Sequence, residues 1–146
     1  NGLIYISAGG GNTQLVAVRP NGRGNVTDTH VVWHTGKSVP KRSSQVSGDG
    51  LLFMVSDQGV VSCLDALSGE LVWQERLRGD YWASPLLANG HIYCFSKSGQ
   101  VSVIRAGRRF QKISQTTYDA GFNASPAVAG SSLILRTFKH VYCVGR

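Results

Sequence analysis

The chain has only three cysteines in 146 residues, with no adjacent pair and no Cys-x-x-Cys. Cys63, Cys94 and Cys143 are unevenly spaced, each inside an apolar run. That pattern supports neither a disulfide framework nor a zinc site, and buried free thiols packing as small hydrophobes are expected. No run approaches the roughly 18 to 20 apolar residues of a helical membrane span. No long segment holds a 3.6-residue period, which excludes a helical core. Gly-x-Ser-x-Gly and His-Glu-x-x-His are both missing, and His30, His34, His91 and His140 stand at strand ends without metal-ligand spacing. Three consecutive glycines, Gly9 to Gly11, are followed by neither a Lys-Ser/Thr pair nor a helical pattern. They read as a turn rather than a phosphate cradle.

Acidic residues are scarce as well: eight Asp and Glu against fifteen Lys and Arg leave a net charge of +7. Such an excess suits a polyanionic partner, but it also suits a β protein kept soluble by scattered cations. The tight basic clusters are Lys41-Arg42 and Arg108-Arg109, and neither sits in a nucleic-acid-binding motif. A nucleic-acid partner is therefore not expected.

What the chain does have is repetition. Ala83-Ser84-Pro85 returns as Ala124-Ser125-Pro126, 41 residues on, and a looser copy, Ser43-Ser44-Gln45, precedes it by 40. Trp33 and Trp73 are 40 apart, each closing a short apolar run. Between the markers lie strand-like runs rich in Val, Ile, Tyr and Phe, separated by Gly-containing turns. In the stretch from Cys63 to Trp73, a strand ends at Asp65, a tight turn passes through Ser68 and Gly69, and a second strand ends in Trp73. Gly69 supplies the backbone freedom of the turn, and the Asp65 and Ser68 side chains are placed to bond its amides.

A period of 40 to 41 with several short strands per repeat predicts an all-β fold, a partial β-propeller of four-stranded antiparallel blades. Fourteen strands are expected, in a single propeller segment: part of a blade over 1–35, full blades over 43–77 and 83–116, and part of a blade over 124–146. Runs such as LLFMV and IYCF are apolar without alternation, as strands covered on both faces should be. The polar segment 20–29 is expected to be an inserted surface loop.

On these residues the repeat resembles the PQQ-like, or quinoprotein, β-propeller repeat, a family that includes PQQ-dependent dehydrogenases and BamB-type outer-membrane assembly lipoproteins. The match is fullest at Ser84-Pro85 with Gly90, and at Leu64-Asp65-Ala66, Ser68-Gly69-Glu70 and Trp73. The resemblance implies that the Ser-Pro strand is innermost, the Trp strand outermost, and the Trp packed between neighbouring blades. Asp65, Ser68, Gly69, Trp73, Ser84, Pro85, Ser125 and Pro126 are then scaffold residues. In the second full copy Ile104-Arg105-Ala106-Gly107 replaces Leu-Asp-Ala and no Trp follows, so Phe110 or Ile113 is expected to dock that blade.

By the same resemblance the first blade lacks its inner strand and the last its outer strand. A missing propeller portion, another copy or a protein partner is expected to complete the ring. Family dehydrogenases use an adjacent cysteine pair, a calcium or lanthanide site and an aspartate base, and none of these sets is present, so neither catalysis nor a bound cofactor or metal is expected. A fragment of a quinoprotein oxidoreductase whose catalytic residues lie elsewhere is the alternative. The family points to a periplasmic or extracytoplasmic setting, while three unpaired thiols lean the other way. The expected role is a scaffold or a peptide- or glycan-binding surface. Its rim would lie where blade connectors emerge, at Lys41, Arg42, Tyr81, Trp82, Phe122 and Asn123; the competing reading is that the aromatics among them plug gaps between blades.

Overall fold

A computed structural model describes residues 2–8 and 12–145. The glycine turn expected at Gly9 to Gly11 lies outside the described residues. Among the described residues fourteen strands form four antiparallel sheets, with no closed barrel. The first sheet is β1 (Ile4–Ala8), β2 (Gln14–Val18) and β3 (Val31–Thr35). The second runs from β4 (Val46–Gly48) through β5 (Leu51–Val55) and β6 (Val60–Asp65) to β7 (Leu71–Arg76). The third comprises β8 (Leu86–Ala88), β9 (His91–Phe95), β10 (Gln100–Arg105) and β11 (Lys112–Thr117). The last has β12 (Ala127–Ala129), β13 (Ser132–Arg136) and β14 (Val141–Val144). Strand order within every sheet follows chain order, so each is a meander.

Three buried clusters explain how the sheets stack. Leu15 meets Leu52, Met54 and Leu64 between the first and second sheets. Leu51, Phe53, Val55 and Cys63 meet Ile92, Cys94 and Ile104 between the second and third. Phe95 and Val101 meet Phe122 and Leu135 between the third and fourth. Successive residues of β5 thus point alternately into two different interfaces, and all five are buried. A strand with a neighbour on either side gains nothing from polar alternation, which is why LLFMV is apolar throughout. Sheets stacked in chain order through successive cores make a partial β-propeller.

Repeated local devices hold the stack together. The inner strands begin at Val46, Leu86 and Ala127, two residues later than the Ser markers. The reason is that the Ser amides are used sideways. Ser44 N–H donates to Ser84 Oγ at 2.9 Å, and Ser84 N–H donates to Ser125 Oγ at 3.0 Å. Pro85 and Pro126 have no N–H to contribute to a ladder at the next position. In each of the first three sheets the pairing of the last two strands carries a bulge, at Ala17/Val18, Cys63/Leu64 and Val103/Ile104. Bulges at matching places increase the local twist of each sheet.

Three expectations need correction. The 20–29 insertion contains one helical turn, α1 (Thr27–His30), whose start is helped by Asn25 Oδ1 accepting from Thr27 N–H at 3.1 Å. Cys143 is exposed rather than buried, because β14 is the outer strand of its sheet and lacks the further strand that covers β6 and β10. The docking of the third sheet onto the fourth uses neither Phe110 nor Ile113. Phe110 packs back on Trp73 at 5.3 Å between ring centroids, and Ile113 is 45% exposed.

Candidate functional site

In a meander blade the turn between the second and third strands and the connector to the next blade emerge on one face. Here that face gathers 36–45, 56–59, 77–85, 96–99, 118–126 and 137–140. Its close packing depends on Gly59, which has φ +81; a Cβ there would stand 2.4 Å from the Leu77 carbonyl oxygen. The same contact recurs one module on, where Gly99 faces the Tyr118 and Ala120 carbonyls. Leu77 N–H donates to Gly59 O and Tyr118 N–H to Gly99 O, each at 2.8 Å, so each outer strand is led into its connector across that glycine.

Of the six expected rim residues, the structure leaves four at the surface. Tyr81 and Phe122 are buried, in the second and third interface clusters. The Tyr81 hydroxyl donates to the Arg78 carbonyl at 3.2 Å, and burial pushes its pKa up to about 12. These two aromatics fill the gaps between sheets because each lies three residues before a Ser whose hydroxyl accepts from the preceding blade's Ser amide. Lys41, Arg42 and Asn123 are exposed, and Trp82 is half-buried.

Arg42, Trp82 and Asn123 occupy matching positions 40 and 41 apart, and 15 residues after each comes the turn residue of the same blade: Asp57, Lys97 and Phe138. The first pair is an ion pair between Arg42 and Asp57, with Lys41 N–H also donating to Asp57 Oδ1 at 2.9 Å. The second is a cation–π contact, Lys97 Nζ 3.4 Å from the centre of the Trp82 ring. The two are linked, since the Arg42 guanidinium lies 4.3 Å from the same ring. In the third, Phe138 is 62% exposed. A cleft of about 710 Å³ opens beside the first pair, between the first two sheets, with Gln14, Ser38, Lys41 and Gln58 among its lining.

At the fourth sheet the face holds a cluster that sequence reasoning missed. The Tyr142 hydroxyl donates to Asp119 Oδ1 at 2.7 Å, and His140 Nδ1 lies 3.1 Å from Asp119 Oδ2. The Tyr142 bond, with His140 and Lys139 near, holds the Asp119 carboxyl below its ordinary range and raises the phenol. A signal was there to read: the glycine turn of DQG and KSG becomes FKH at Phe138 to His140.

The scaffold residues sit at the opposite face and the inner edge. Asp65 Oδ1 accepts from the Leu67 and Ser68 amides, and Ser68 Oγ accepts from Glu70 N–H. The Ser68 amide above all, then Arg108, holds the Asp65 carboxyl below its ordinary range. Trp33 Nε1 donates to Ala66 O at 3.2 Å and Trp73 Nε1 to Gly107 O at 2.8 Å, so each Trp closes onto the next blade's turn.

Comparison with known proteins fits this architecture. A family model described as outer membrane protein assembly factor BamB matches residues 11–137. The chain belongs to the PQQ-like β-propeller repeat family. Among solved structures, BamB from Moraxella catarrhalis is similar over 97% of this chain and 42% of its own, with TM-score 0.69 and 15% identity. A europium-containing methanol dehydrogenase is similar over 80% of this chain and 23% of its own, with TM-score 0.59 and 13% identity. The quinohemoprotein alcohol dehydrogenase ADHIIG from Pseudomonas putida HK5 is similar over 64% of this chain and 16% of its own, with TM-score 0.55 and 18% identity. No curated protein sequence matches. The chain spans less than half of each of these structures, and identities this low speak for the fold alone.

The PQQ-like family contains both dehydrogenases and the assembly factor, so the donor set in this chain matters. Among the described residues no group of three His, Cys, Asp or Glu is placed to hold a metal ion. Burial pushes the Cys63 and Cys94 thiols up to about 12, which keeps both protonated at neutral pH. These residues do not fit a quinone with its calcium or lanthanide.

Proposed function

We propose that this PQQ-like propeller segment is a non-catalytic binding module that holds a protein partner on its connector face. One observation carries the reading: the ionic and aromatic side chains of that face meet at equivalent positions of two successive blades, Arg42 with Asp57 and Trp82 with Lys97, rather than converging on a point where a bond could be made or broken. Lys41, Arg42, Trp82 and Asn123 form the proposed rim, to which Lys97 is added by its contact with Trp82. The description of the matching family model as an assembly factor supports the same reading. A Lys41→Ala, Trp82→Ala double variant should lose a captured partner while keeping its melting temperature; unchanged capture discards the face.

The partner contacts extend to ring closure. The exposed large apolar residues include Ile4, Ile6 and Val32 on the first sheet and Val128, Val141 and Val144 on the last. These end sheets each present an unpaired strand edge and apolar side chains, which favours association. More of the same propeller, a second copy or another protein covers them. A stable monomer of these 146 residues in dilute solution counts against it.

The second reading, part of a quinoprotein oxidoreductase with its reactive groups elsewhere, draws on the likeness to the two dehydrogenases. Adding PQQ with calcium separates the readings, since a ligand at 100 times its dissociation constant stabilises by about 2.7 kcal/mol. Absence of a thermal shift removes this reading for the chain.

A further inference from the structure

The two faces of the propeller segment differ in charge. Lys37, Lys41, Arg42, Arg78, Lys97 and Lys139 lie in the turns and connectors of the connector face, against Asp57, Asp80 and Asp119. Two of these carboxylates are already engaged, Asp57 by Arg42 and the Lys41 amide, Asp119 by Tyr142 and His140. The turns and strand ends of the opposite face set Arg19, Arg23, Arg105, Arg108 and Arg109 against Asp28, Asp49, Asp65 and Glu70, close to balance. The positive excess is therefore concentrated on the connector face, and local excess attracts a complementary partner.

It is most concentrated around Trp82. Arg42 and Lys97 both lie on that one indole, Lys41 is the neighbour of Arg42, and Asp57 is the carboxylate paired among them. Among the described residues neither Lys41 nor Lys97 has a carboxylate in salt-bridge range. A guanidinium carries five N–H donors, so the Arg42–Asp57 pair leaves donors for a second carboxylate. The two ring distances limit the separation of the Arg42 and Lys97 charges to little more than the spacing of alternate side chains on an extended strand, about 6.6 Å. Beside them the 710 Å³ cleft offers the neutral hydrogen-bonding side chains of Gln14, Ser38 and Gln58.

Resting on the connector-face reading above, we propose that this site takes an extended acidic polypeptide segment with carboxylates on alternate residues. One carboxylate would meet Arg42 and Lys41 and the next Lys97, while the chain between them lies along the cleft. A single-stranded nucleic acid is disfavoured because it needs open aromatic faces for its bases, and the Trp82 ring is already in contact with two cations.

The test is fluorescence anisotropy of the 146-residue chain with three labelled probes: an alternating Glu-Ser dodecapeptide, its Gln-Ser counterpart, and an oligothymidylate of equal charge. The Glu-Ser peptide should bind, weaken with added salt, and lose about tenfold in affinity on Lys97→Gln or Lys41→Gln. Lys97→Arg should retain binding, and Arg109→Gln on the opposite face should change nothing. Melting curves establish that each variant is folded. Equal binding of the Gln-Ser peptide, indifference to both Lys→Gln changes, or oligothymidylate binding as tight with the same variant dependence overturns the acidic-segment proposal. If the Gln-Ser peptide binds and is lost on Lys41→Gln, the connector face stands and only its preference for acid falls. If no probe binds and the Lys41→Ala, Trp82→Ala double variant also leaves partner capture intact, both fall.

Discussion

The junction of the second and third sheets and the junction of the third and fourth are built at equivalent positions of the repeat, but different residues close them. At the first, Trp73 on β7 reaches across to the Gly107 carbonyl and packs against Phe53 and Phe110, while Asp65 meets Arg108 nearby. At the second, the position matching Trp73 holds the exposed Ser114, and its neighbour Ile113 is 45% exposed. The aromatic contacts there lie at the connector face: Phe95 with Phe122, and Tyr118 with both Phe122 and Tyr142. The repeat therefore keeps a buried aromatic at the connector end of both junctions, Tyr81 and Phe122, and differs in whether the opposite end is filled as well.

The strongest way to break that comparison is truncation. Phe122→Ala should cost about 4 kcal/mol and Trp73→Ala about 3 kcal/mol, since one ring is fully buried and the other partly. Ile113→Ala should stay within about 0.5 kcal/mol, as befits a surface site. Urea denaturation measures all three; a costly Ile113→Ala would mean the two junctions are alike after all.

A smaller effect sharpens the role of the indoles. Gly69 has φ +74, and a Cβ there would lie 2.5 Å from the Trp33 ring docked on it. Gly90 has φ +70 with nothing within 4 Å. Alanine at either costs about 1 to 2 kcal/mol of left-handed strain. Gly69→Ala should cost more than Gly90→Ala because it also displaces Trp33. Equal costs in thermal melts would show that the indole gives way freely.

The serine links sit lower still. Ser84→Ala removes the acceptor of the Ser44 amide, at about 1 kcal/mol. Hydrogen exchange should show faster loss of the Ser44 amide proton while the Ser84 amide, held by Ser125, stays protected. Equal protection at both would mean that water replaces the hydroxyl without cost.

The sequence made the fold legible because a 40-residue period, Gly turns and two-sided apolar runs all report on backbone and burial, which the repeat copies faithfully. All fourteen expected strands are present, with ends displaced by one or two residues. Ser44 and Ser84 show why ends are harder to read: whether an amide bonds along its strand or sideways to a neighbouring blade depends on residues 40 positions away. The candidate site was less legible for the same reason. Tyr81 and Trp82 are adjacent aromatics on one connector, but one points into a core and the other into the cation pair, and no local pattern distinguishes them. The Asp119, His140 and Tyr142 cluster joins residues more than 20 apart, through a turn whose altered sequence was the sole hint.

That cluster gives the finest contrast between the junctions, because each carries one anchored carboxylate. Asp65 is held below its ordinary range by its own turn's amide and then by Arg108, Asp119 by the Tyr142 hydroxyl and then by His140 and Lys139. A lowered folded-state carboxyl stabilises above its unfolded value of about 3.8 and loses that contribution as pH falls through the folded value. Both junctions should therefore weaken in acid. Only the fourth sheet's carboxylate is tied to a phenol, and Tyr142 is raised above its ordinary value of 10.0 by the same bond. A raised phenol contributes below pH 10 and loses that contribution as pH rises through the folded value, so the third-to-fourth junction should also weaken in alkali, as should the second-to-third through buried Tyr81, whose phenol is pushed up to about 12. Tyr142→Phe should shrink both the alkaline and the acid limb of melting temperature against pH, leaving the Tyr81 and Asp65 parts in place. Asp65→Asn should shrink the acid limb and leave the alkaline one untouched. An alkaline limb unchanged by Tyr142→Phe would assign it wholly to Tyr81 and the buried thiols and remove the phenol's part in the third-to-fourth junction.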